Sequence, residues 1–319
     1  MEDLRKQIVA ALLLGALLPQ VMLHTRSCDA PAPQETVQET VASEPADTKP
    51  PEEAVYIPVK DRDGQVQIME LESYILGVVL AEMPASFEAE ALKAQAVVAR
   101  TYTLRHMQRM DRHSDCAVCM DPSCCQAYKD PGDLKAENVR VVLMQTAGQV
   151  LTYGGELAEA TYFSCSGGRT EDAQAVWGED VAYLQAVDSP GEEEAKGYSD
   201  SVYFKKADFC KALGRTLSGD PKSWFGQVTY TDGGGVATMF IGGKSYSGTQ
   251  LRKKLGLNST AFTVTPDNGG VTITTRGKGH RVGMSQYGAD AMAVKGSTYQ
   301  QILAHYYPGT EIDNYGDLQ

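Results

Sequence analysis

A chain of 319 residues with 42% apolar and 22% charged side chains has the balance of a folded protein of one or two ordinary units, which excludes a wholly disordered or fibrous chain. Its 29 lysines and arginines against 41 aspartates and glutamates leave a net charge of −12, which argues against a non-specific binder of nucleic acid or of an anionic surface, although a local basic groove is compatible with it. Seven cysteines, an odd number, leave at least one thiol outside any disulfide or commit the set to another use such as a metal.

The chain opens with a short tail, residues 1–7, that carries Arg5 and Lys6, and continues as an uncharged apolar run over residues 8–23. That run sits between a signal-peptide core and the ~20 residues that comfortably span a bilayer. Thr25-Arg26-Ser27-Cys28 lacks the apolar residue expected three before a lipidated cysteine, so an uncleaved anchor is favoured over a cleaved signal. The basic pair before it keeps the N-terminus cytoplasmic and sends the rest outside. Residues 24–54 are rich in proline, acid and threonine without an aromatic residue, and read as an extended tether. The ectodomain is expected over 55–319.

Within it, Ile57 to Leu71 alternates around Asp61-Arg62-Asp63-Gly64 as a hairpin, and Leu71 to Leu80 turns to helical spacing that Pro84 stops, with Glu82 at the last turn. Phe87 to Met110 reads as a long helix with Leu92, Ala96, Ala99 and Thr103 down one face. Val139 to Met144 and Gln149 to Tyr153 read as strands, and Phe204 to Leu213 as a helix. Val228 to Thr231, Val236 to Ile241 and Lys244 to Tyr246 are short β segments, a candidate inserted β-rich lobe around 200–260. Thr249 to Leu255 reads as a helix, Val271 to Arg276 as a strand and Met284 to Val294 as a helix after a glycine-rich turn. The order predicts α+β, mixed helices and short antiparallel strands, rather than a regular βαβ winding.

Four segments carry candidate chemistry. Glu82 stands among Val78, Val79, Leu80, Ala81 and Met83, where desolvation would raise a carboxyl toward the pKa of a general acid, although a lone glutamate at a helix end is more often a solvated surface group. His113, Cys116, Cys119, Cys124 and Cys125 fall within thirteen residues, the donor types of a tetrahedral zinc site. Disulfide pairing is the competing reading; adjacent Cys124 and Cys125 make it awkward and His113 has no part in it. Cys28, Cys165 and Cys210 are scattered and read as structural or idle. The segment Thr161–Asp172 ends an apolar run in hydroxyls and paired glycines, and Arg276–Ala289 surrounds His280 with glycines before a helix start. The glycine spacing of the latter fits neither a dinucleotide loop nor a P-loop, which excludes nucleotide binding.

Taken together, Tyr74–Tyr102 with its Ala81-Glu82-Met83-Pro84 corner, the Phe163-Ser164-Cys165-Ser166-Gly167-Gly168 block with Thr170-Glu171, and Gly279-His280-Arg281-Val282-Gly283-Met284-Ser285-Gln286 followed by Gly288-Ala289 resemble the stage II sporulation protein D family, in family order. The resemblance implies a membrane-anchored peptidoglycan lytic transglycosylase of endospore formers, in the septal and engulfing membrane, alongside the amidase stage II sporulation protein P and a multi-pass partner, protein M. It implies glycan strands already stripped of stem peptides as substrate, and Glu82 as the catalytic acid and then base. It places Gln95, Arg100, Tyr102, Ser164, Ser166, Gly167, His280, Ser285 and Gln286 along a sugar-binding groove. Clostridial relatives bind zinc through a pattern matched here by His113, Cys119 and Cys125 ahead of Gln126 and Tyr128, with Cys124 where a histidine is usual and Cys116 as its rival; the expected zinc is structural. Arg281, where the family normally has glycine, is expected to narrow or recharge the groove, and Cys165 replaces a small hydroxyl residue. Another class of function stays open, a non-catalytic glycan-binding scaffold that activates an amidase, as in related amidase enhancers. Zinc-dependent hydrolysis is disfavoured because four protein ligands leave no open position.

Overall fold

The computed structural model describes residues 54–132 and 134–318; the expected tail, the apolar run 8–23 and all but the last residue of the tether lie outside the described residues. Among the described residues no helix is long and apolar enough to cross a membrane.

The architecture is α+β. Strands β1 (Tyr56–Lys60) and β2 (Val66–Glu70) pair antiparallel, and Asp61 closes their turn by accepting from the backbone amides of Asp63 and Gln65. The Glu70 carboxylate then caps α1 (Leu71–Glu82) by accepting from the amides of Glu72 and Ser73. Helix α1 ends where Met83 turns extended, the conformation that Pro84 imposes on its predecessor, so Glu82 is the last helical residue.

Helix α2 (Ala89–Arg109) is the centre of the molecule. Leu92, Ala96, Ala99 and Thr103 are buried, but so are Ala94, Gln95, Val97, Val98, Arg100 and Thr101, so the helix is enclosed all round rather than on one face. The small alanines allow neighbours to close in from every side. Strand β3 (Val118–Cys119) returns the cysteine loop to β1 in parallel. The expected strand Val139–Met144 is instead part of α3 (Leu134–Leu143): Ala136, Val139 and Leu143, at spacings of three and four, are buried while Val141 is exposed, and packing against α2 overrides the β preference of three valines.

Strand β4 (Gln149–Tyr153) pairs with β5 (Glu156–Leu157) and with the C-terminal β14 (Glu311–Asn314). Strand β6 (Tyr162–Phe163) is followed by α4 (Ala173–Trp177), then by β7 (Ser199–Lys205) and α5 (Lys206–Leu213). The expected helix from Phe204 therefore starts at Lys206, its first two positions completing a strand whose exposed residues gave no periodic signal. Strands β8 (Phe225–Tyr230), β9 (Val236–Ile241) and β10 (Lys244–Ser247) form one antiparallel sheet ahead of α6 (Gly248–Leu255), which opens on a Ser247/Gln250 capping box. Strands β11 (Phe262–Pro266) and β12 (Gly270–Arg276) form another with β7. Phe209, Trp224, Ile241, Leu251 and Ile273 make a hydrophobic cluster of their own in this part of the chain, with Phe209 stacked on Trp224. Strand β13 (Met284–Ser285) lies parallel to β6, and helix α7 (Gln286–Val294) begins two residues later than expected because Ser285 caps it. Helix α8 (Tyr299–Tyr306) completes the main core around α2. Two of the pairings, β1 with β3 and β6 with β13, are parallel, where only antiparallel strands were expected.

Candidate functional site: a groove beside a cysteine cluster

Three distant stretches meet at Glu82. Its Oε1 accepts from the backbone amide of Ala127 at 2.8 Å and its Oε2 from Gln286 Nε2 at 3.4 Å, while the Tyr162 hydroxyl also donates to it. The α1 terminus supplies the acid, the end of the cysteine loop holds one oxygen, and the parallel β6–β13 pair brings Tyr162 and, just after β13, Gln286 to the same carboxyl group. Burial pushes the Glu82 carboxyl above the ordinary glutamate value, and the three donors only partly oppose that.

Glu82 lies on a groove of about 720 Å³ that also gathers Tyr102, Ser164, His280 and Gln286. His280 packs edge-on to Phe163 and tilted against Trp177. Burial, with the positive charges of Arg252 and Arg112, depresses its pKa to about 4, and its Nδ1 accepts from the Val282 amide, so the imidazole is neutral at pH 7 with its proton on Nε2. Trp177, Arg112, Arg252 and Lys278 line the groove as well. Sequence reasoning missed these four: they lie at helix ends and in loops, in no distinctive pattern.

One rim of the groove is the cysteine loop. The ligand atoms of His113, Cys119, Cys124 and Cys125 all lie within 4.8 Å of one another. Cys124 Sγ and Cys125 Sγ are 3.8 Å apart, and His113 Nε2 is 3.6 Å from the first and 3.3 Å from the second. A tetrahedral zinc with bonds of about 2.3 Å to sulfur and ~2.05 Å to nitrogen has S···S edges of about 3.8 Å and N···S edges of about 3.5 Å. His113, Cys124 and Cys125 therefore fit zinc in chemistry and spacing, and Cys119 adds a fourth donor of the right type within 4.8 Å of them. A disulfide between Cys124 and Cys125 is excluded at that separation, and all six described cysteines are free. Cys116, the rival of Cys124, groups instead with His113 and Asp115, on the side of Lys60. Past the cluster, Gln126 accepts from Thr103 Oγ1 and donates to Tyr162, and Tyr128 stacks on Tyr74 and occupies the space above Gly77, so the loop is fastened to both α1 and α2.

Comparison with known proteins places this arrangement. A family model described as stage II sporulation protein matches residues 60–153, which hold Glu82 and the cysteine cluster. Stage II sporulation protein D of Bacillus amyloliquefaciens is 39% identical across 87% of this chain and 83% of its own length, and the protein of the same name from Bacillus subtilis (strain 168) is 40% identical across 81% and 79%. The chain belongs to the stage II sporulation protein D family. A protein of Bacillus subtilis (strain 168) named Amidase enhancer is 32% identical across 75% of this chain and 40% of its own length.

In this stage II sporulation protein D family member, the remaining residues expected in the groove lie elsewhere. Arg100 is wholly buried, gripping Glu72 through Nε and Nη2 at 2.7 and 2.6 Å and donating Nη1 to the Gln149 carbonyl, which clamps α2 to α1 and β4. Gln95 is sealed in the core, and among the described residues neither of its amide atoms has a hydrogen-bond partner. Ser285 caps α7. Ser166 donates to Glu192, a buried carboxylate that also accepts from Ser189, the Cys165 thiol and the amides of Ser166 and Gly167. Gly167, at φ +74°, lies so close to the neighbouring strand that a Cβ would meet the Gly277 nitrogen at 2.6 Å; it serves backbone packing.

Arg281 is the clearest correction. It turns away from the groove and is buried, donating to the carbonyls of Ser166, Arg169 and Gly233 and pairing with buried Glu171 at 3.1 Å. Its φ of +69° is the left-handed conformation that glycine adopts without strain, which accounts physically for glycine being acceptable there.

Proposed function

We propose that this protein cleaves peptidoglycan glycan strands as a lytic transglycosylase during engulfment in endospore formation. The observation that carries the reading is that Glu82 is the one carboxylate, among the described residues, that lines the groove, and that burial raises its pKa. Glycosidases that use water ordinarily need a second carboxyl group across the bond, whereas a transglycosylase can work with one. Neutral Glu82 donates its proton to the glycosidic oxygen between N-acetylmuramic acid and N-acetylglucosamine, and the muramoyl C1 takes up positive charge as that bond breaks. The Glu82 carboxylate then removes the proton from the C6 hydroxyl of the same muramoyl sugar, whose oxygen bonds to C1 and closes a 1,6-anhydro ring. Ala127 and Gln286 hold the two carboxyl oxygens in place, while Trp177 offers an aromatic face to the sugars.

Zinc held by His113, Cys119, Cys124 and Cys125 supplies a closed structural clasp and no reacting group, because four protein donors leave no place for substrate. We further propose residues 8–23 as a single membrane anchor, the ectodomain facing the space between the septal and engulfing membranes, and stage II sporulation protein P amidase and protein M as partners. The name of the Bacillus subtilis relative Amidase enhancer supports a second reading, a glycan-binding scaffold that speeds an amidase without cutting glycan.

The test is mass spectrometry of products from wild-type protein and Glu82→Gln on amidase-stripped strands. The transglycosylase reading expects anhydro-muramoyl ends from wild type alone. Reducing ends would indicate a muramidase, and absence of cleavage by folded, zinc-loaded wild type together with amidase stimulation would establish the scaffold.

A further inference from the structure

The protein carries a net charge of −12, yet its groove is lined by three cations, Arg112, Arg252 and Lys278, against the single carboxylate of Glu82. Concentrating positive charge in one cleft of an acidic protein selects for an anionic ligand and repels nothing the neutral part of a sugar presents.

The three cations differ. Lys278 is exposed. Arg112 donates Nη1 to the Cys124 carbonyl at 2.6 Å and lies over the Tyr102 ring, which fixes its guanidinium at the rim formed by the cysteine loop. Arg252 is half-buried near the end of α6, and among the described residues no carboxylate lies within ion-pairing distance of it. Desolvation lowers its pKa without an acid to offset the effect. A partly desolvated guanidinium with no acidic partner is costly to keep unless a ligand supplies the missing charge. Both arginines line the groove together with His280.

A guanidinium matches a carboxylate through two parallel hydrogen bonds. The glycan of the proposed reaction carries one candidate carboxylate, on the 3-O-lactyl group of the muramoyl sugar. That group is a neutral amide while a stem peptide is attached and a free anion once the peptide has been removed. We propose that Arg252, with Arg112 lining the same groove, forms the subsite that binds this free lactyl carboxylate and thereby makes the groove selective for peptide-free strands. The inference rests on the glycan reading above and assigns the specificity to residues from opposite parts of the chain, one from the cysteine loop and one from the part with its own hydrophobic cluster.

The experiment measures binding by the full-length, detergent-solubilised chain carrying Glu82→Gln to prevent turnover. The two probes are amidase-stripped glycan strands and an uncharged N-acetylglucosamine oligomer of the same length. The parental protein should bind the stripped strand about tenfold more tightly, and adding Arg252→Met should bring the two affinities together by weakening the stripped strand alone, with Arg252→Lys in between. A merely structural role for Arg252 would change both affinities equally, and that result, or a preference that survives Arg252→Met, overturns the subsite. Equal binding of both probes by the parental protein removes the subsite and leaves the glycan reading standing. Binding of neither probe by folded parental protein removes both.

Discussion

Replacing Arg281 by glycine sets two effects against each other. Glycine relieves the left-handed backbone at φ +69°, a gain of about 1–2 kcal/mol. Against it stands the loss of three carbonyl contacts and of the partner of Glu171, in a pair whose side chains are only 2% and 1% exposed. Breaking a buried pair from one side costs about 3–5 kcal/mol, and the bonds that Thr231 and Thr260 make to Glu171 put this case at the lower end. The net expectation for Arg281→Gly is a loss of about 2 kcal/mol, a folded-to-unfolded ratio roughly 30-fold lower. Urea unfolding measures it, with Arg281→Gly/Glu171→Gln recovering part of the loss because the stranded charge is gone. Glycan affinity at the groove should stay unchanged, since the side chain points elsewhere. A variant as stable as wild type would show that backbone relief dominates, and a weakened glycan affinity in folded protein would return Arg281 to the groove.

Gln95→Met should raise stability by about 1 kcal/mol, since it removes an amide with no partner from the core; a thermal midpoint below that of wild type refutes the point. For Glu82 the folded pKa is raised, so the protonated form's stability is complete below the unfolded value near 4.5 and is lost as pH rises through the higher folded value. Glu82→Gln should accordingly be more stable than wild type at pH 7, with the difference vanishing below pH ~4.5, and urea titrations at both pH values check this. Metal chelation should lower the thermal midpoint and also slow cleavage, because the loop that carries the cluster positions Ala127 against Glu82; an unchanged midpoint after complete zinc removal contradicts a structural clasp.

Local signals sufficed where the chain's physics is local. The Asp-Gly turn set the first hairpin, Pro84 ended α1 at Glu82, and thiols next to imidazole within thirteen residues announced a donor cluster whose atoms do converge. The resemblance carried the three blocks around Glu82, Ser164 and His280, and the fold brings residues from each into the same groove. What could not be read was direction. Val139 to Met144 has the composition of a strand and is helical because α2 needs a partner there. Gln95, Arg100, Ser166 and Ser285 stand in the same blocks as groove residues and face inward, as core, clamp, carboxylate ligand and cap. Arg281 sits next to His280 and points the opposite way. Arg252 lies in an ordinary amphipathic helix far along the chain, and only the tertiary fold, which brings it to the groove that the cysteine loop also lines, makes it a groove residue. Sequence determined which chemistry the chain possesses, because residue type and short spacing are local properties. Tertiary structure decided which of those side chains share one solvent-filled space, because that depends on long-range packing that no short segment encodes.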